Sequence, residues 1–161
     1  MKTKILLLIT ALSVAVANAG EVERTTFSVS LPDGWTEDTK DDMYDPETNL
    51  FFENSESCLV MVVIGTKSAG SSIEPMLAAQ KETWAKRLTQ MEEAKIEKWG
   101  QYQGKGFELT GKLSGTTQYR ARFFGFENAK HTCVVIECAD AVDAKKFAAD
   151  FDRIRETFRL K

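Results

Sequence analysis

Apolar residues recur along this chain with two periods, and each change of period marks an element boundary. From residue 25 to 31, Phe27, Val29 and Leu31 alternate with polar neighbours, which predicts a strand with one wet face. Pro32-Asp33-Gly34 stops it, a cluster that supplies one fixed φ and tolerance of a positive one. Trp35 follows directly and is expected to plug the edge of the core. Residues 50–53 and 58–64 read as a hairpin through residues 54–57. The second arm, CLVMVVI, is apolar at every position, which implies cover on both faces. The period then lengthens. Leu77, Trp84, Leu88 and Met91 share one stripe of a 3.6-residue repeat, predicting a helix over residues 73–94. Its cap is open between Ser71, Ser72 and Glu74: Ser71 and Glu74 have capping-box spacing, whereas Pro75 favours an early helix position. Alternation returns over residues 95–99, and residues 100–106 are a glycine-rich turn.

Residues 107–158 organise the rest: a three-stranded meander feeding a helix. For the hairpin of residues 107–113 and 117–126, a two-residue turn would mix the faces. A register shifted by one pairs Phe107 with Phe123, Leu109 with Ala121 and Glu108 with Arg122, and the buried face selects it. It requires a longer loop or a bulge near Gly115, and it makes Glu108 and Arg122 a cross-strand ion pair. HTCVVIEC, residues 131–138, is another mostly apolar strand. Asp140 is the expected N-cap of a final helix whose Phe147, Phe151, Ile154 and Phe158 form a single stripe. The predicted class is α+β: one antiparallel sheet with helices packed on both faces, an α/β/α sandwich.

Composition changes the picture at the N-terminus. Residues 1–20, MKTKILLLITALSVAVANAG, combine Lys2 and Lys4, an apolar run and the small residues Ala17 and Ala19. These are the parts of a secretory signal peptide cleaved after Ala19, leaving residues 20–161 as a single domain. The apolar run falls short of the ~20 residues a membrane span needs, so no transmembrane anchor is expected after cleavage. The chain carries 21 Lys and Arg against 24 Asp and Glu, and loss of Lys2 and Lys4 makes the mature form more acidic. That balance argues against adhesion to nucleic acid or anionic lipid.

Candidate chemistry is sparse. The carboxylates Glu37, Asp38, Asp41, Asp42, Asp45 and Glu47 could suit a hard cation, but their spacing fits no EF-hand and a solvated loop is the expectation. Residues 65–72, GTKSAGSS, carry the glycines of a phosphate loop, yet Ser71 stands where that motif requires lysine. No metal or cofactor is expected. His131 is the sole histidine, which removes paired-histidine ligation and narrows the choice of general base. Of the three cysteines, Cys133 and Cys138 lie roughly 16 Å apart along one strand, beyond the ~7 Å that disulfide geometry tolerates. Any bridge must use Cys58, and the alternative is three buried thiols. Cys138 also precedes a helix N-terminus, where the dipole can activate a thiol.

Four stretches carry a resemblance: FSVSLPDGW (27–35), GFELTGKLSG (106–115), YRARFFGF (119–126) and FDRIRETFRL (151–160). With this element order, the chain resembles the PsbP-like family of extrinsic photosystem proteins, Ran-interacting Mog proteins and DcrB-type exported bacterial proteins. The resemblance implies an α/β/α sandwich and, among exported members, a binding or accessory domain without catalysis. It transfers no photosystem-specific or Ran-specific residues. The functional expectation is a non-catalytic domain of the periplasm, envelope or exterior, acting on an unknown protein or envelope component. The competing expectation is a cysteine-dependent redox protein or enzyme using Cys138. A partner face bearing Arg120, Arg122, Phe124 and Phe126 competes with packing of the same phenylalanines under a helix.

Overall fold

The computed structural model describes residues 20–68, 72–113 and 115–161. Residues 1–19, read above as a signal peptide, and Ser71 and Ser114 lie outside the described residues. The elements in chain order are β1 (Glu21–Glu23), β2 (Phe27–Ser30), β3 (Trp35–Glu37), β4 (Asn49–Asn54), β5 (Leu59–Thr66), α1 (Glu74–Ala85), β6 (Leu88–Trp99), β7 (Tyr102–Leu113), β8 (Thr117–Glu127), β9 (His131–Asp140), α2 (Ala141–Lys146), α3 (Ala148–Thr157) and β10 (Arg159–Leu160).

Two antiparallel sheets replace the single sheet expected from the sequence. The larger runs β3-β4-β5-β9-β8-β7-β6, and the smaller runs β1-β2-β10. The N-terminal strand leaves the main sheet because its partner is the C-terminal tail, with Arg159 opposite Ser28 and Leu160 opposite Phe27. Phe27 stacks on Phe158 at 5.8 Å between ring centroids, so the small sheet closes one side of the core.

The second correction concerns the long helix. Helix α1 ends at Ala85, and residues 88–99 form the edge strand β6. Arg87 N–H donates to the Trp84 carbonyl, closing the helix. Leu88 then pairs with Leu113, and Gln90 adopts φ +52 at an irregularity between Thr89 and Glu92. Leu77 is the buried residue of α1, whereas Met91 is exposed. Strand β5 departs from expectation too. Val60, Val62 and Ile64 are buried, but Leu59, Met61 and Val63 are only half-buried, so its second face is partly open.

The β7–β8 register is the one the buried face selects, with Phe107 opposite Phe123, Leu109 opposite Ala121 and Glu108 opposite Arg122. Gly115, at φ +88, turns the chain between Leu113 and Thr117. Asp140 caps α2, accepting from the N–H groups of Val142 and Asp143 at 3.0 and 2.9 Å. The expected C-terminal helix is broken at Phe147 (φ −100, ψ 22), which ends α2 and begins α3. Phe151, Ile154 and Phe158 are buried in one core cluster with Val60, Val135 and Phe126, while Phe147 is half-buried at the break. A second cluster joins Leu77 of α1 to Phe107, Leu109, Phe123, Val134 and Ile136 on the other side of the sheet.

Candidate functional site

A lone carboxylate on a buried strand must find partners, because an unpaired charge out of water is costly. Glu137 meets that requirement in β9, the central strand of the larger sheet, and is 4% exposed. Arg155 of α3 donates through Nε and Nη2 to its two oxygens at 2.7 and 2.6 Å. Trp99 donates from Nε1 at 2.6 Å. The turn that places Trp99 depends on Gly100, whose φ is +55 and where a Cβ would collide with the Arg155 carbonyl. The β6–β7 turn thus presses directly on α3. Burial works to lower the Arg155 pKa, yet its bonds to Glu137 and its charge contacts with Glu137 and Asp152 carry it above the ordinary value.

A charged surface extends outward from this pair. Arg122 Nη1 lies 3.9 Å from Glu137. The Nε atoms of Arg120 and Arg122 converge on one oxygen of Glu108, at 3.2 and 3.1 Å. All three side chains are about a quarter exposed. The register sets Thr110 opposite Arg120 and Glu92 opposite Thr110, a row across β8, β7 and β6. Helix α2 lies against β8 and β9, with Arg120 beside Ala144 of α2 and Phe151 of α3, and the row opens toward β7 and β6. A concavity of about 270 Å³ there is lined by Glu92, Glu93, Ala94, Glu108 and Thr110.

The four residues read from the sequence as a partner face therefore divide. All sit on one side of β8, but Phe124 and Phe126 are fully buried, Phe126 stacking on Tyr102 and Trp99 at 4.0 and 5.9 Å. Arg120 and Arg122 are about a quarter exposed and pair with Glu108, which lines the concavity. Glu137, Arg155 and Trp99 were not singled out by the sequence. The available signal was one acid within HTCVVIEC.

The three cysteines are free and buried. Cys58 and Cys133 belong to one core cluster and Cys138 to the other. Leu59 pairs with Cys138 and Ile64 with Cys133, so Cys58 faces away from Cys138 and lies roughly 20 Å along the sheet from Cys133. Burial pushes the Cys58 thiol up to about 11 and that of Cys138 up to about 12, and Cys133 is raised by the same cause. At Cys138 burial outweighs the lowering by the Arg87 charge and by the hydrogen bond with Tyr119. Burial likewise pushes Tyr119 up to about 12. These groups favour the folded state fully below the unfolded thiol range, ~8.5, and lose that contribution as pH rises through 11–12. Negligible alkylation of the native chain at pH 7, three thiols per chain in denaturant, and alkaline unfolding that a Cys58→Ala/Cys138→Ala variant delays are the expected results. Fast labelling of native Cys138 would contradict them.

His131 begins β9, and its imidazole has no hydrogen-bond partner among the described residues. The acidic segment uses its carboxylates on its own chain. Asp45 accepts from Glu47 N–H and Thr48 N–H, bonds that lower its pKa, and Glu47 accepts from Thr26. No group of three or more His, Cys, Asp or Glu suited to a metal occurs among the described residues.

No protein-family model matches the chain, and no curated protein does. Solved structures do. Cyanobacterial PsbP from Synechocystis sp. PCC 6803 aligns with a TM-score of 0.57 at 12% identity, over 94% of this chain and 98% of that one. The fold is PsbP-like. The Ran-binding protein Mog1p of Saccharomyces cerevisiae shares it at a TM-score of 0.54 and 12% identity, over 89% and 96% of the two chains. LpqN of Mycobacterium tuberculosis, a protein involved in cell envelope biogenesis, shares it at 0.52 and 12%, over 84% and 83%. The chain spans only 45% of the length of a further match, a structure from Bacteroides thetaiotaomicron. Identities this low establish the PsbP-like fold alone.

Proposed function

We propose that the protein is an exported, non-catalytic binding or accessory domain that docks a protein or envelope component through the open half of its larger sheet. The observation that carries the reading is the surface of Arg120, Arg122 and Glu108, each about a quarter exposed, with Glu108 also lining the concavity over β7 and β6. Paired arginines on a firm sheet are suited to anchoring a partner. The reactive groups support the same reading from the other side, since the thiols are buried with raised pKa values. Export is supported by the pattern of residues 1–19 and by the fold shared with LpqN. No helix among the described residues is long and apolar enough to cross a membrane.

Two measurements test this. Intact mass of the chain recovered from the envelope or medium is expected to begin at Gly20; a chain still starting at Met1 overturns the leader. Cross-linking in the native envelope is expected to join the chain to a discrete partner, and absence of any cross-linked partner overturns the binding role.

A further inference from the structure

The row across β8, β7 and β6 has chemically different ends. Arg120 has Glu108 as its ion-pair partner and shares that single oxygen with Arg122, so one carboxylate serves two guanidinium groups, and the Arg120 side chain is a quarter exposed. At the far end Glu92 is exposed and has no ion-pair partner among the described residues. Glu92 and Glu108 both line the concavity, which gives that end an anionic wall. Adjacent strands lie about 4.8 Å apart, so cation and anion stand about 10 Å apart with the Thr110 hydroxyl between them. A purely acidic ligand would be repelled by the two glutamates, and a purely basic one by the two arginines.

Resting on the binding role proposed above, we infer that this row docks a partner-protein segment carrying both an acidic and a basic side chain. The acid pairs with Arg120 and the base seats between Glu92 and Glu108. The Glu137–Arg155 pair holds the floor of the site still, since Arg122 stands between it and Glu108. Such complementarity contributes more to partner choice and orientation than to raw affinity.

The test is photo-cross-linking of the full chain in its native envelope, with p-benzoylphenylalanine replacing exposed Ala94 or, on the opposite flank, Lys40. Ala94 is expected to label a partner peptide containing both charge signs, and Lys40 is not. Arg120→Glu and Glu92→Lys are each expected to cut that yield about ten-fold, an attraction turned to repulsion worth about one decade. Arg120→Gln is expected to give a smaller loss with an unchanged melting temperature. Yield insensitive to both reversals, or a labelled peptide lacking one charge sign, overturns the inference and leaves the binding role standing. Labelling from Lys40 alone moves the interface elsewhere and also overturns it. No cross-link from either position overturns the inference and the binding role together.

Discussion

Replacing Arg155 by methionine is expected to cost the fold about 3–5 kcal/mol, the range for removing one partner of a buried ion pair. Arg155 supplies two of the three hydrogen bonds that Glu137 accepts. Without it Glu137 keeps Trp99, but Arg122 at 3.9 Å is too far for a hydrogen bond. The unfolded chain, with both ions in water, is unaffected, so the whole difference falls on the native state. Arg155→Lys should fall between wild type and methionine, because an ammonium keeps the charge and loses the fork. The decisive companion is Glu137→Gln/Arg155→Met. Glutamine still accepts from Trp99 and leaves no charge unpaired, so most of the stability should return. The urea midpoint at constant m-value reads all three. A double variant no more stable than Arg155→Met would show that the single loss comes from packing of the Arg155 stem, not from a stranded carboxylate.

The parts of this architecture legible in the sequence are those where a local pattern and the buried face agree. Phe107 and Leu109 on one strand, with Phe123 and Ala121 on the next, leave a single register that buries all four. Asp140 is a cap because its short side chain reaches two free N–H groups. Strand β6 shows where such reading ends. Only its last residues, 95–99, alternate; residues 89–94 are exposed on both faces, and their strand character comes from pairing with β7, more than twenty residues away for Thr89 and Lys112. Leu88 and Met91 happened to continue the helical stripe of Leu77 and Trp84. The small sheet was hidden for a similar reason, since β10 is two residues long and exists only against β2. At the site, alternation correctly placed residues 120, 122, 124 and 126 on one side of β8. It could not show that this side passes from fully buried phenylalanines to quarter-exposed arginines along the strand, because that depends on how the distant Trp99, Tyr102 and Phe158 pack over it.

Phe158→Ala is expected to cost about 3–5 kcal/mol, the usual range for truncating a buried phenylalanine. Two features put it at the upper end. Phe158 is fully buried, and its ring meets Phe27, Trp99, Tyr102 and Phe126 at 5.8, 5.5, 6.3 and 6.2 Å. Those partners come from both sheets, so the ring joins the β1-β2-β10 layer to the main core. It also stands just before β10, whose Leu160 N–H donates to the Tyr102 hydroxyl at 2.7 Å. Phe147→Ala, at the half-buried helix break, should cost well under half as much, since little cavity forms at a site open to water. At about 2–4 °C per kcal/mol for a domain of this size, Phe158→Ala should lower the melting temperature by about 6–20 °C. Because the ring bridges the two sheets, calorimetry of the variant should still show one transition, lower and cooperative. Two resolved transitions would mean that the small sheet unfolds as a separate unit, and that Phe158 couples the layers less than its position between them implies.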